Sequence, residues 1–220
     1  MYRLLIIAFA FSLFAGLHAQ DYSSYMMVMV KQKKALNMAQ SELDYQNLAS
    51  SFERIANAQT DQWHPLYYAA FCYINMSLRN NDPAQKDNYL DNAQAMIEKA
   101  LEIYPDESEL YVLQGLLYQA RIQVNVGQRK LEYSVKANDA LMVAKDYNPE
   151  NPRIYYLMAL NALQSPEIYD TATETACANL ETAKEQFTDY RPQHVLSPTW
   201  GGERNAQLKA QYCSDQNKML

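Results

Sequence analysis

The stretch AQAMIEKALEIYP, residues 93–105, decides the fold. Two alanines, Ala93 and Ala100, stand seven residues apart in it, and Pro105 closes it. Residues seven apart lie on one face of an α-helix, so the alanines form a stripe of small side chains. Proline does not continue a helix, because it lacks a backbone N–H and clashes with the preceding turn. The stretch therefore predicts a helix that a neighbour approaches closely and that stops near residue 105.

The same arrangement recurs along the chain at a step of 44 residues. The stretch ANDALMVAKDYNP, residues 137–149, repeats both alanines and the proline, and Ala49 with Ala56 repeats the alanines one step earlier. A tyrosine follows each second alanine after 11 residues, at Tyr67, Tyr111 and Tyr155. Self-similarity at a period of about 20–50 residues is typical of stacked supersecondary units. The sequence thus predicts a stack of equivalent hairpins with constant junctions.

The composition and spacing of apolar residues indicate that these hairpins are helical. Good helix formers are abundant, the chain has only 5 glycines, and apolar residues recur at intervals of three and four. Breaks are expected at Asn81-Asp82-Pro83, at residues 148–152 and at Ser165-Pro166. The predicted helices cover residues 24–39, 42–58, 65–79, 85–104, 108–125, 128–147, 152–164, 168–188 and 203–215.

These residues resemble tetratricopeptide repeats, in which two antiparallel helices form each unit. The first helix of that motif is matched by Tyr111, Gly115 and Tyr118, and the second by Ala93, Ala100 and Pro105. The resemblance covers residues 42–190 and implies an all-α fold: a right-handed helical-hairpin solenoid of about three to four hairpins plus a C-terminal capping helix.

Two departures leave alternatives open. The period is 44, whereas tetratricopeptide repeats step by about 34 residues, and a HEAT-like stack also fits a period near 44. In the first matched unit Phe71 takes the place of Gly115, and a shift of one residue to Leu66, Ala70 and Tyr73 restores the motif.

The segments Phe52–Ala56, Trp63–Ala70 and Ser197–Gly201 are similar to small exported tetratricopeptide proteins of Gram-negative bacteria. That resemblance implies a periplasmic or secreted protein and no defined biochemical activity.

The N-terminal residues have the pattern of a targeting segment. Arg3 precedes an apolar run at residues 4–17, and small Ala19 follows. This order predicts a signal peptide at residues 1–19, cleaved after Ala19, and a helical-repeat domain at 20–220. A single-pass anchor is the alternative, but a span needs about 20 apolar residues.

The net charge and the hydropathy of the chain limit the classes of partner that we expect for it. The formal net charge is −6, which lacks the basic footprint of a nucleic-acid-binding protein. No second apolar run approaches spanning length, so we expect no integral membrane segment after cleavage. The expected partner is a protein or peptide whose identity the sequence leaves open.

Three cysteines, Cys72, Cys177 and Cys213, fit no zinc spacing. They are interpreted either as small apolar helix residues or, for Cys177 and Cys213, as a disulfide between the last helices.

No pattern of residues indicates catalysis. His64 and His194 have no second histidine at metal-ligand spacing, and phosphate-binding and nucleophile motifs are missing from the sequence. We therefore expect a protein that is not an enzyme and that uses no metal and no cofactor.

Tyrosine is unusually frequent, at 18 of 220 residues. Most tyrosines are expected to fill the core, and the rest to line the concave face that the first helices of the hairpins form. With the 44-residue step as register, the predicted binding groove is lined by Tyr68, Asn75, Glu109, Val112, Gln119, Arg153, Tyr156 and Leu160. Tyrosines mixed with amides and single charges suit a peptide or protein segment. The alternative is a small ligand or glycan, which a deep aromatic pocket would favour over an open groove.

The irregular stretch at residues 191–202 is interpreted as part of a C-terminal cap, residues 191–220. In this interpretation Val195, Leu196 and Trp200 fold over the exposed end of the stack. A binding loop is the alternative.

Overall fold

The computed structural model describes residues 22–168 and 171–213, and all regular structure in these residues is helical. The predicted signal peptide at 1–19 lies outside the described residues. The helices are α1 (22–36), α2 (Glu42–Ala58), α3 (Trp63–Arg79), α4 (Pro83–Ile103), α5 (Ser108–Ile122), α6 (Val126–Tyr147), α7 (Pro152–Gln164), α8 (Ala172–Asp189) and α9 (Gly202–Tyr212), with a short 3₁₀ turn at Pro166–Ile168.

Local sequence sets where these helices begin. The side chain of Asp82 accepts a hydrogen bond from the backbone at the start of α4, and Pro83 occupies the first turn. Asn151 and Pro152 do the same for α7. A capping side chain satisfies a backbone N–H that the helix leaves unpaired, and proline loses nothing at the first helical position. The breaks predicted there are confirmed.

Successive helices pack as antiparallel hairpins. The pairs α3/α4, α5/α6 and α7/α8 have extensive contacts, and α3, α5 and α7 also contact one another in sequence. Apolar residues of α1 share a buried cluster with those of α2 and α3. The fold is therefore the predicted all-α hairpin solenoid, and α3, α5 and α7 form one layer, hereafter the inner layer.

The repeated small residues allow the helices to approach closely. The repeated alanines are all buried: Ala49, Ala56, Ala93, Ala100, Ala137 and Ala144. Gly115 of α5 lies against α6, where an added Cβ would come within 2.9 Å of the Leu141 side chain. Such an approach would force the packed core to shift. The small residues that recur at the 44-residue step therefore allow the short distance between paired helices.

The first matched unit follows a different register. From Trp63 to Ser108, the starts of α3 and α5, there are 45 residues, and from Ser108 to Pro152, the start of α7, there are 44. Tyr67, and not Tyr68, therefore corresponds to Tyr156 in α7. The one-residue shift restores the repeat motif in α3, and the strict 44-residue register used for the predicted groove is one residue off there.

The last helix closes the chain against α8. The Cys177–Cys213 disulfide joins the two helices. Of the two interpretations that the sequence left open for these cysteines, the disulfide is the one present. Asn205 donates a 3.0 Å hydrogen bond to the carbonyl oxygen of Leu180, and Leu208 is buried between them. Helix α9 thus covers the face of α8 at the C-terminal end of the stack.

Across residues 22–168 and 171–213, no helix combines the length and the apolar character needed to cross a bilayer.

Candidate functional site

The segment at residues 190–201, hereafter the strap, crosses the inner layer. Tyr68 Oη donates a 2.6 Å hydrogen bond to the carbonyl oxygen of Leu196, and Trp200 Nε1 donates a 2.8 Å bond to Tyr67 Oη. Leu196 is fully buried, whereas Val195 is 55% exposed. Leu196 and Trp200 therefore pack on α3, rather than over the end of the stack where the sequence placed them.

Helix α1 holds the strap from the other side. Lys33 Nζ donates to the carbonyl oxygens of Val195 and Ser197, at 2.8 and 2.5 Å. Burial and the positive charge of Arg153 lower the pKa of Lys33. The strap is thus held between α1 and the inner layer by hydrogen bonds to its backbone carbonyl oxygens and by the side chains of Leu196 and Trp200.

The eight predicted groove residues are brought together only in part, and most are not open to solvent. Tyr68, Glu109, Val112, Gln119, Arg153 and Tyr156 are buried, and Asn75 and Leu160 are half-buried. Gln119 donates to the carbonyl oxygen of Leu157, so it joins α5 to α7. The strap and the contacts between helices cover the face that the sequence predicts as an open groove. That these residues bind a partner stays a prediction.

Two of the predicted residues form a buried ion pair between the first turns of α5 and α7. The Arg153 guanidinium contacts both carboxylate oxygens of Glu109 at 2.6–3.0 Å, and Asn151 donates to the same carboxylate at 2.8 Å. Burial alone would lower the pKa of Arg153, but the charge and hydrogen bonds of Glu109 hold it above its ordinary value. A buried pair of this kind is stable only because each charge has several partners.

A cavity of about 790 Å³ remains beside the strap, hereafter the inner pocket. Six of its sixteen lining residues are aromatic, and its polar groups include two cations and one carboxylate. Its lining includes Lys33, Tyr45, Tyr68, Phe71, Phe187, Tyr190, Trp200, Gly201, Glu203 and Arg204. Cavities of about 300–1,000 Å³ with apolar walls and few polar groups are typical of small-molecule sites.

Trp200 forms the centre of the aromatic wall. Its ring centroid lies 5.5 Å from that of Phe71, at an interplanar angle of 31°, and 6.3 Å from that of Tyr156, nearly edge-on. These distances are typical of attractive aromatic pairs. Phe71 and Trp200, which both line the inner pocket, thus bring two large aromatic rings to it, and Tyr156 packs against Trp200 from outside the lining.

The turn from the strap into α9 requires glycine. Gly201 has a φ of +106°, and an added Cβ would lie 2.9 Å from Phe187 Cζ. Residues other than glycine rarely adopt this backbone conformation. Gly201 thus lets the chain reverse directly beside Phe187 and Trp200, at the wall of the inner pocket.

A second cavity, of about 620 Å³, has the opposite charge. Five carboxylates and one cation line it: Glu107, Glu109, Glu150, Glu185, Asp189 and Arg191. Burial, together with the neighbouring charge of Glu109, raises the pKa of Glu107. An anionic ligand is therefore repelled there and is better matched by the cations of the inner pocket.

His64 and His194 come together although no spacing in the sequence pairs them. Their ring centroids are 5.3 Å apart, and the His64 ring stacks on Trp63 at 4.0 Å. Burial and the charges of His194 and Lys33 lower the pKa of His64 to about 4. In the described part of the chain, no three His, Cys, Asp or Glu side chains are placed to hold a metal ion.

Comparison with known proteins gives one family match. The model of the family described as regulator of microtubule dynamics protein 1-3 matches residues 29–161. No curated protein matches the sequence.

The solved structures with similar folds include a haemophore and a TPR protein. The HusA haemophore from Porphyromonas gingivalis is 29% identical, with a TM-score of 0.79 over 89% of this chain and 96% of that one. A thermophilic TPR protein from Thermus thermophilus is 15% identical, with a TM-score of 0.53 over 90% of this chain and 94% of that one. The second similarity confirms the tetratricopeptide-like helical-repeat fold.

Proposed function

The chain belongs to the family described as regulator of microtubule dynamics protein 1-3, and we propose that it is a non-catalytic binding protein whose inner pocket takes a planar, anionic tetrapyrrole such as haem. The similarity over nearly the whole chain to a haemophore supports this ligand class. The aromatic inner pocket is the observation that carries the proposal.

The residues of the inner pocket fit such a ligand in shape and in charge. Phe71 and Trp200, both half-buried, supply aromatic rings against which a conjugated macrocycle would stack. Lys33 and Arg204 supply positive charge for the carboxylates at the macrocycle's edge. The volume of about 790 Å³ lies in the range of ligand sites and is partly open to solvent at Arg204, which is exposed.

A second candidate is the recognition of a protein or peptide segment, for which tetratricopeptide-like folds are typical scaffolds. One observation favours it: α1 and the inner layer already hold a non-helical segment, the strap, through its backbone carbonyl oxygens. A partner peptide that displaces the strap would find the same donors on Lys33 and Tyr68. Tyr68 and Tyr156, both predicted groove residues, would then contact the partner.

We also propose that the protein is exported to the periplasm or the medium. The Cys177–Cys213 disulfide supports this location, because structural disulfides persist in oxidising compartments.

A haem titration tests the ligand proposal. The purified protein is titrated with haem and the Soret absorbance followed, in parallel with Arg204→Glu and Phe71→Ala. Reversal of one charge at the pocket mouth is expected to weaken affinity about tenfold, and loss of the Phe71 ring by a similar factor. Arg204 contacts Gln207 at an exposed site, so its replacement should leave the fold intact.

The matched control is Lys99→Glu, a charge reversal on α4, which contributes no residue to the pocket lining. Affinity equal to that of the wild type is expected for this control. Equal affinities for all four proteins, or no saturable binding, would contradict the proposal. Displacement of the strap by a peptide, with no haem binding, would establish the second candidate instead.

A further inference from the structure

Arg153 does more than neutralise Glu109. Its side chain is fully buried, and its Nε and Nη2 atoms are taken up by the carboxylate. The remaining nitrogen, Nη1, lies 3.5 Å from the carbonyl oxygen of Trp200. One buried cation therefore contacts both the inner layer and the strap.

The same guanidinium also lies close to the aromatic rings at both ends of the strap. The Arg153 Cζ atom lies 4.6 Å from the ring centroid of Tyr190 and 5.8 Å from that of Trp200. A cation over an aromatic face at such distances is attracted to it, more strongly where water is excluded. The backbone reversal at Gly201 is equally close, because an added Cβ there would lie 3.5 Å from Arg153 Cγ.

Tyr190 and Trp200 line the inner pocket, whereas Arg153 does not. We infer that Arg153 is a positioning residue: it holds these two aromatic rings in the orientation in which they bind the ligand. The affinity part of this inference rests on the proposed function, whereas the position of Trp200 is measurable without a ligand.

The chemistry of the guanidinium distinguishes this role from that of a simple counter-charge. A lysine ammonium would neutralise Glu109, but it has no planar face and no forked set of donors. Arg153→Lys therefore keeps the charge, but one compact ammonium cannot pair with Glu109 and also contact Tyr190, Trp200 and the Trp200 carbonyl oxygen. The double variant Glu109→Gln/Arg153→Met removes both charges together, so that no unpaired charge is left buried.

The experiment uses a Trp63→Phe background, in which Trp200 is the sole tryptophan. Acrylamide quenching of Trp200 is measured without ligand, and haem affinity is measured on the same proteins. Both variants are expected to fold, to show at least a twofold increase in quenching, and to bind haem about tenfold more weakly. The control, Asp91→Asn/Arg121→Met, removes charges that touch neither the strap nor the pocket and should change neither readout. Asp87, the second partner of Arg121, keeps its ion pair with Arg129.

Three results would each have a distinct meaning. If Arg153→Lys shows the same quenching and the same haem affinity as the wild type, Arg153 acts only as a counter-charge for Glu109, and the inference is overturned. Increased quenching with unchanged haem affinity would also overturn it, because Trp200 would then move without consequence for the ligand. If the wild type binds no haem, the proposed function fails, and quenching alone decides whether Arg153 positions Trp200.

Discussion

Tyr68 Oη donates a 2.6 Å hydrogen bond to the carbonyl oxygen of Leu196, which joins residues 128 positions apart. Both partners are buried, so the hydroxyl and the carbonyl have exchanged water for each other. A buried acceptor that loses its donor costs more than the hydrogen bond contributes. This contact therefore anchors the middle of the strap to α3.

Tyr68→Phe removes the hydroxyl and keeps the ring. The free energy of unfolding should fall by about 1–3 kcal/mol, because the Leu196 carbonyl is left without its partner. Denaturant unfolding measures the change, and limited proteolysis should cut the strap faster. Tyr155→Phe is the matched control, since its hydroxyl donates to Pro149 only six residues away at an exposed site. Equal losses in the two variants would contradict an anchoring role.

The Cys177–Cys213 disulfide should stabilise the C-terminal end of the stack. It joins α8 and α9 across a sequence separation of 36 residues. Replacing both cysteines with alanine is expected to lower the free energy of unfolding by about 2–4 kcal/mol. Thermal unfolding with and without a reductant checks this. Cys72→Ala, which removes a buried thiol elsewhere, should leave the effect of the reductant unchanged.

Stability should fall as the pH drops through the range in which His64 titrates. The unfolded chain binds this proton near pH 6.5, whereas burial and the charges of His194 and Lys33 hold the pKa in the folded protein at about 4. Protons therefore favour the unfolded state between these values, by up to about 3 kcal/mol. The contribution of neutral His64 to the free energy of unfolding is fully present above about pH 6.5 and is lost as the pH falls towards about 4.

His64→Gln removes the titrating group and should flatten that part of the pH profile. Urea unfolding at about pH 7 and at about pH 5, on either side of the pKa of a free histidine, gives the comparison. If the free energy of unfolding changes equally between the two pH values in the wild type and in the variant, His64 does not cause the pH dependence.

Gly115 should not tolerate a branched side chain. An added Cβ meets Leu141 at 2.9 Å in a closely packed core. Gly115→Val is expected to cost about 1–3 kcal/mol of stability through overpacking. Gly127→Ala is the control, because the space around Gly127 is open. Its melting temperature should stay the same or rise slightly, since alanine favours helix. An unchanged melting temperature in Gly115→Val would contradict the close approach of α5 and α6.

Most of the helical framework was predictable because its signals are local. Ala93, Ala100 and Pro105 specify one helix within a single short stretch, and the repeat at 137–149 copies it. Capping residues such as Asp82 act on their own helix, so their positions fix the breaks. The register of α3 was not predictable from the spacing, because the first step between helix starts is 45 residues and not 44.

The site was less predictable because its contacts are distant in sequence. Nothing near Leu196 or Trp200 indicates that they pack on Tyr68 and Tyr67, which lie 128 and 133 residues earlier. The sequence therefore placed the strap at the end of the stack and treated the inner layer as open. The buried pairing of Glu109 with Arg153 could have been suspected, because the two residues are one 44-residue step apart.

The most direct measurement of the central claim follows the two indole N–H signals by NMR while metal-free protoporphyrin is added. Trp200 lines the inner pocket, and Trp63 lines the acidic cavity. A Trp63→Phe sample assigns the two signals. We expect the Trp200 signal to shift to saturation, because the macrocycle's ring current acts at short range, and the Trp63 signal to stay nearly unchanged. No shift in either signal, or a shift of Trp63 alone, would contradict a tetrapyrrole site in the inner pocket.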